Sequence, residues 1–111
     1  MREGDLIIIP LPQADGAVKN RPAVVLREMP PFRDALVCGV STQLRQAAKD
    51  FDEAISPGDP DFSSSGLKEE SLIRLGFLVV VPRNKIAGAI GSISPERHKR
   101  LLRRLSDHLV R

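Results

Sequence analysis

The chain has 111 residues, 41% of them hydrophobic, and carries 17 Lys and Arg against 14 Asp and Glu. That length supports one hydrophobic core, so a single domain over residues 1–111 is expected. A lone cysteine excludes a disulfide framework or a thiolate metal site. The absence of an opening signal segment and the shortness of the apolar runs Leu6 to Leu11 and Leu78 to Pro82 argue against export or membrane spanning, which points to a reducing cytoplasm.

Asp5 to Pro10 reads as a buried first strand, and Leu11 to Asn20 as a loop that returns the chain. Lys19-Asn20-Arg21-Pro22 then runs into the apolar Ala23-Val24-Val25-Leu26. Pro22 has a fixed φ and no N–H, so it is expected as the first residue of the second strand, Ala23 to Arg27, with Arg21 held extended before it. Met29-Pro30-Pro31 forces a turn, and a third strand, Ala35 to Val40 with Cys38 in its core, ends at Ser41-Thr42-Gln43.

Leu44 to Lys49 fits a helical turn and Phe51 to Ile55 a half-exposed strand, whereas Ser56 to Gly66 has the composition of a loop. Ser71 to Leu75 and Phe77 to Pro82 read as two short strands interrupted at Gly76, and Gly88 to Ser92 as irregular. From Ser94 the period changes. Ser94 is an N-cap and Pro95 a first helical residue, and Leu101, Leu105 and Leu109 form an apolar stripe that must pack on the β body. The mainly β pattern, about six short and mostly antiparallel strands with a C-terminal amphipathic helix, predicts a small SH3-like barrel.

The basic excess is local. Residues 95 to 111 hold six Lys and Arg against two acids, leaving the body near neutral, and the helix's charged face reads as solvated. Its histidines, His98 and His108, have no metal-pair spacing and read as solvent-facing. No Gly-rich phosphate loop or nucleophile elbow is present, so any catalysis is expected to need no metal and no cofactor.

Arg21, Ser41, Thr42 and Arg74 fall at or near strand ends, which converge in a barrel. A guanidinium fork and hydroxyl donors suit a phosphodiester. Each has a plainer reading: Arg21 as a solvated loop cation, Arg74 as the partner of Glu69 or Glu70, and Ser41-Thr42-Gln43 as the cap of the turn that follows.

The order of these segments resembles the PemK/MazF family of type II toxin-antitoxin endoribonucleases. Gly4 to Ile9 resembles the family's opening strand, Lys19 to Leu26 its most recognisable motif, and Val40-Ser41-Thr42-Gln43 the end of its third strand; Ser65 to Arg74 and Leu78 to Pro82 resemble its later half. The resemblance implies a homodimeric barrel that cleaves single-stranded RNA without metal, through attack of the 2′-hydroxyl on the phosphate. It also implies inhibition by an acidic antitoxin peptide and DNA binding in company with that antitoxin. Arg21 matches the family's catalytic arginine, and Ser41, with Thr42 beside it, falls where a threonine usually contacts the scissile phosphate. Lys19, Asn20, Pro22, Gln43 and Arg74 would line the substrate site.

Two departures stand out. Serine replaces threonine at position 41, keeping the donor and losing the methyl group. Where some members carry an aspartate as general base, this chain has Gly76, so Glu69, Glu70 or Asp15 would have to substitute. Two other readings remain open on the same barrel: a non-catalytic RNA- or protein-binding module, and a gyrase inhibitor like the CcdB family.

Overall fold

The computed structural model describes all residues, Met1–Arg111. In chain order the elements are β1 (Asp5–Pro12), β2 (Val18–Met29), β3 (Asp34–Ser41), β4 (Glu53–Ile55), α1 (Phe62–Ser65), β5 (Ser71–Val81), β6 (Ala89–Ser92) and α2 (Pro95–Leu109). Short 3-10 turns occupy Leu44–Gln46 and Arg83–Lys85. The strands form one six-stranded sheet, ordered β4-β5-β3-β2-β1-β6, antiparallel throughout and curled into a half-barrel. No helix is long and apolar enough to cross a membrane.

Alternation along the strands buries both faces. Leu6, Val24, Leu26, Cys38 and Leu75 face α2, whose Leu101 and Leu105 complete that core. Ile7, Ile9, Leu11, Val25 and Val37 point into the curl, where Phe77, Val79 and Ile86 close over them. A strand buried on both faces loses the polar alternation of a surface strand, hence the nearly continuous apolar runs. Burial pushes the Cys38 thiol up to about 12.

Several expected boundaries shift. The first hairpin loop is only residues 13–17, because β1 and β2 pair out to Pro12 and Val18. Pro22 therefore lies inside β2, opposite Ile8, and not at its start. It is tolerated there because β2 pairs with β3 only from Ala23 onward, so the side of Pro22 without an N–H faces no strand. The expected loop 56–66 contains the single turn α1, and the segment expected to be irregular contains β6. These two elements pack backbone to backbone: a Cβ on Gly91 would stand 2.3 Å from the Ser64 carbonyl oxygen.

The interruption expected at Gly76 is a bulge within one long strand. Gly39 pairs with Arg74 and Cys38 with Leu78, leaving Leu75, Gly76 and Phe77 without partners on β3. A second bulge, on β2, leaves Leu26 unmatched between Val25 and Arg27. The Leu26 carbonyl accepts a hydrogen bond from His98 Nε2 at 2.8 Å, which fixes the Nε2–H tautomer. His98 is thus a half-buried strut and not the solvent-facing residue expected; His108 is exposed, 4.9 Å from the Phe51 ring.

The helix's basic face is also not simply solvated. Arg97 is buried and every N–H of its guanidinium finds an acceptor. Nε and Nη2 bind Asp61 at 2.8 and 3.1 Å, Nη1 reaches Glu53 at 2.8 Å and the Ala54 carbonyl at 3.2 Å, and Nη2 also reaches Asp59 at 2.9 Å. One turn along the same face, Arg100 grips Glu53 at 2.6 and 3.0 Å. Ser94 caps the helix by accepting from the Arg97 N–H, while its own N–H donates to Asp61 at 3.0 Å.

Burial alone would push the Asp61 carboxyl up, but the Arg97 guanidinium and the Ser94 N–H outweigh it and hold the group below the usual carboxylate range. A depressed folded value means that the stability Asp61 confers is fully present above the unfolded value of about 3.9 and is lost as pH falls through the folded one. Arg97→Met should cost about 3–5 kcal/mol in urea melts at pH 7, because it leaves buried carboxylates uncompensated. The gap between wild type and variant should narrow below about pH 4, where the stranded carboxylates protonate. An equal gap at both pH values would show that the network acts through packing and not charge.

Candidate phosphate site

The parting of β2 from β3 at Pro22 opens a cavity of ≈330 Å³. Arg21 lies on one bank. Ser41, Thr42 and Gln43 lie on the other, where β3 ends, and Arg74 and Phe77 form the floor with Gly39. A Cβ at position 39 would press on the Phe77 ring at 3.4 Å, so glycine there lets the ring lie against β3. The structure thus gathers Arg21, Ser41, Thr42, Gln43 and Arg74 around one space. Lys19, Asn20 and Pro22 do not line it: Lys19 and Asn20 are exposed on the hairpin, and Pro22 acts through the backbone.

Arg21 is aimed, not free. Its Nη2 donates to Gln13 Oε1 at 3.1 Å, and Gln13 Nε2 is anchored on the Leu11 carbonyl at 3.1 Å. Sequence reasoning missed Gln13, whose only signal was a position in the hairpin loop facing the Arg21 strand. Gln46, also missed, lines the cavity from the 3-10 turn. Ser41 Oγ accepts from the Gln43 N–H at 3.0 Å, one residue short of the turn, so the expected cap is not formed: Gln43 is the N-cap and the turn has no side-chain cap bond. The Ser41 hydroxyl hydrogen stays available to another acceptor.

Arg74 pairs with neither Glu69 nor Glu70. Its Nε is buried without a hydrogen-bond partner, an unusual state for a guanidinium. Glu70 instead accepts from the Ser56 hydroxyl, and Asp15 accepts from the Ala17 N–H at 2.9 Å. No carboxylate lines the cavity, so none of the three acids considered as a general base is placed to serve it. No group of three or more His, Cys, Asp or Glu side chains is arranged to hold a metal ion.

Two guanidinium groups, two hydroxyls and primary amides line this space with no acid among them, a donor set whose chemistry suits a tetrahedral oxyanion.

Comparison with known proteins agrees with the architecture. The family model of the PemK-like, MazF-like toxins of type II toxin-antitoxin systems matches residues 2–109. Among solved structures, the Mycobacterium tuberculosis toxin MazF-mt6 superposes with a TM-score of 0.66 at 17% sequence identity, over 96% of each chain. No curated protein sequence matches the chain.

Inorganic phosphate should stabilise the wild-type protein with the logarithm of its concentration above Kd, by about 2.7 kcal/mol at a hundredfold excess, and raise its melting temperature accordingly. Arg21→Ala and Arg74→Ala should each abolish most of that shift, as read by differential scanning fluorimetry at constant ionic strength. A shift that survives both substitutions would place the anion elsewhere.

Proposed function

The chain belongs to the PemK-like, MazF-like toxins of type II toxin-antitoxin systems, and on that premise we propose that it is a metal-independent endoribonuclease that cuts single-stranded RNA in the Arg21 cavity. The observation that carries this reading is the meeting of Arg21, Ser41, Thr42 and Arg74 around a space with no acidic lining. In the reaction the 2′ oxygen bonds to phosphorus and the bond from phosphorus to the 5′ oxygen breaks, leaving a cyclic phosphate and a 5′-hydroxyl. Arg21 and Arg74 neutralise charge gathering on the phosphorane oxygens, and Ser41 or Thr42 donates to a non-bridging oxygen. With no carboxylate at hand, the 2′ proton leaves to solvent, and the 5′ oxygen is protonated by water or by Arg21.

The inhibitor in this reading is an acidic antitoxin segment, whose carboxylates would satisfy the same cations. The working unit is a homodimer in the cytoplasm. Its supporting observation is the outer side of β5: β4 covers only Ser71 to Ile73, so no strand pairs with residues 76–81 there. That free edge carries Leu78 and Val80, 38% and 53% exposed, and has no charge or proline to block pairing. Antiparallel pairing of β5 with its copy would satisfy the edge and set two cavities side by side through Phe77.

The second reading, a binding module that no longer cuts, is favoured by the missing carboxylate. Incubating purified protein with a long RNA in EDTA separates the two. Cleavage that leaves cyclic phosphate ends, falls roughly 10²–10³-fold in Arg21→Ala and rises with pH without a bell-shaped optimum supports the enzyme. RNA that is retained with a steep salt dependence but stays intact supports the binder. In sedimentation velocity at micromolar concentration the wild type should run as a dimer and Val80→Lys as a folded monomer, and a monomeric wild type sinks the dimer.

A further inference from the structure

A second groove, of ≈510 Å³, lies between residues 48–51 and the last turn of α2. Phe51 and His108 form its apolar wall, their rings 4.9 Å apart and tilted by 45°. Arg104 is committed to the fold through the Phe51 and Asp52 carbonyls and Glu53. Lys49 and Arg111 make no ion pair, and neither do Asp50 and Asp107 on the same rim.

The groove and the phosphate cavity are neighbours along the chain. Gln46 lines one and Ala48 the other, positions separated by at most about 7 Å of chain. Phe77 lines the phosphate cavity, and a Cβ on its neighbour Gly76 would stand 4.0 Å from Phe51 Cε2.

We propose that this groove is a subsite for a nucleotide flanking the scissile phosphate of the RNA, a reading that rests on the function proposed above. The base packs against the Phe51 and His108 rings, and its phosphate lies between Lys49 and Arg111. Asp50 and Asp107 accept from an amino group on the base edge, as carboxylates do from cytosine. The paired rings offer a stacking face that a nucleotide base can use and an acidic side chain cannot, which favours a nucleotide over an acidic peptide.

The test uses the Arg21→Ala background, in which cleavage is expected to be roughly 10²–10³-fold slower, with affinities compared only within that background, and labelled RNAs of about three and about twelve nucleotides, within the range of single-strand site sizes. Lys49→Ala with Arg111→Ala, and separately His108→Ala, should weaken the longer RNA roughly tenfold and leave the shorter one unchanged. The double variant should also lower the log–log salt slope by roughly 0.7, the share of a single neutralised phosphate. Equal affinity for the longer RNA in all proteins, or an equal weakening for both lengths, overturns the subsite while wild-type cleavage still stands. A wild type that neither binds nor cuts RNA overturns the function and the subsite together. Tighter binding of an acidic peptide than of the longer RNA, with the same dependence on Lys49 and Arg111, would overturn the nucleotide subsite and assign the groove to a protein partner instead.

Discussion

Arg97 is the knot on which this fold depends. The curled sheet has one face that only α2 can cover, and leucines alone fix neither the rotation of a helix nor its position along a groove. Arg97 does both, because its planar fork reaches β4 through Glu53 and the segment before α1 through Asp59 and Asp61. With β4 held, β5 is paired on both sides at Ile73, one residue before Arg74. The buried ion network and the phosphate cavity are therefore linked through one strand, although they share no side chain.

The cavity itself follows from how the backbone hydrogen bonds are distributed. Pro22 has no N–H to offer β3, β3 ends at Ser41, and the two strands part where a ladder would otherwise continue. The parting exposes Arg21 on one bank and the Ser41 and Thr42 hydroxyls on the other. The bulge in β5 brings Phe77 in beneath them and leaves Gly76 outside the ladder. A proline, a strand end and a bulge together build a concave polar site in a sheet that would otherwise be sealed.

Much of this is legible in the sequence because it is local. Strand cores show as β-branched runs, the start of α2 shows in Ser94 and Pro95, and Arg21, Ser41 and Thr42 stand at positions whose neighbours announce strand ends. What stays hidden depends on distant partners. Arg97 and Arg100 look like any solvated helical cations until Glu53, Asp59 and Asp61 arrive opposite them, and His98 looks idle until the Leu26 bulge frees a carbonyl. Lys19 and Asn20 read as site residues from adjacency to Arg21, but the hairpin carries them outward. α1 and β6 escape a sequence reading because each is defined by the other: short polar or glycine-containing segments become regular only where Gly91 lets their backbones touch.

Cys38 has a practical consequence. It is the only thiol in the chain, lies at the centre of β3 with no exposed surface, and stays protonated at any pH near neutrality. Thiolate is the reactive species, so the folded barrel is silent toward alkylating reagents. The rate at which such a reagent modifies this residue measures how often the sheet opens, which makes Cys38 a built-in clock for barrel breathing.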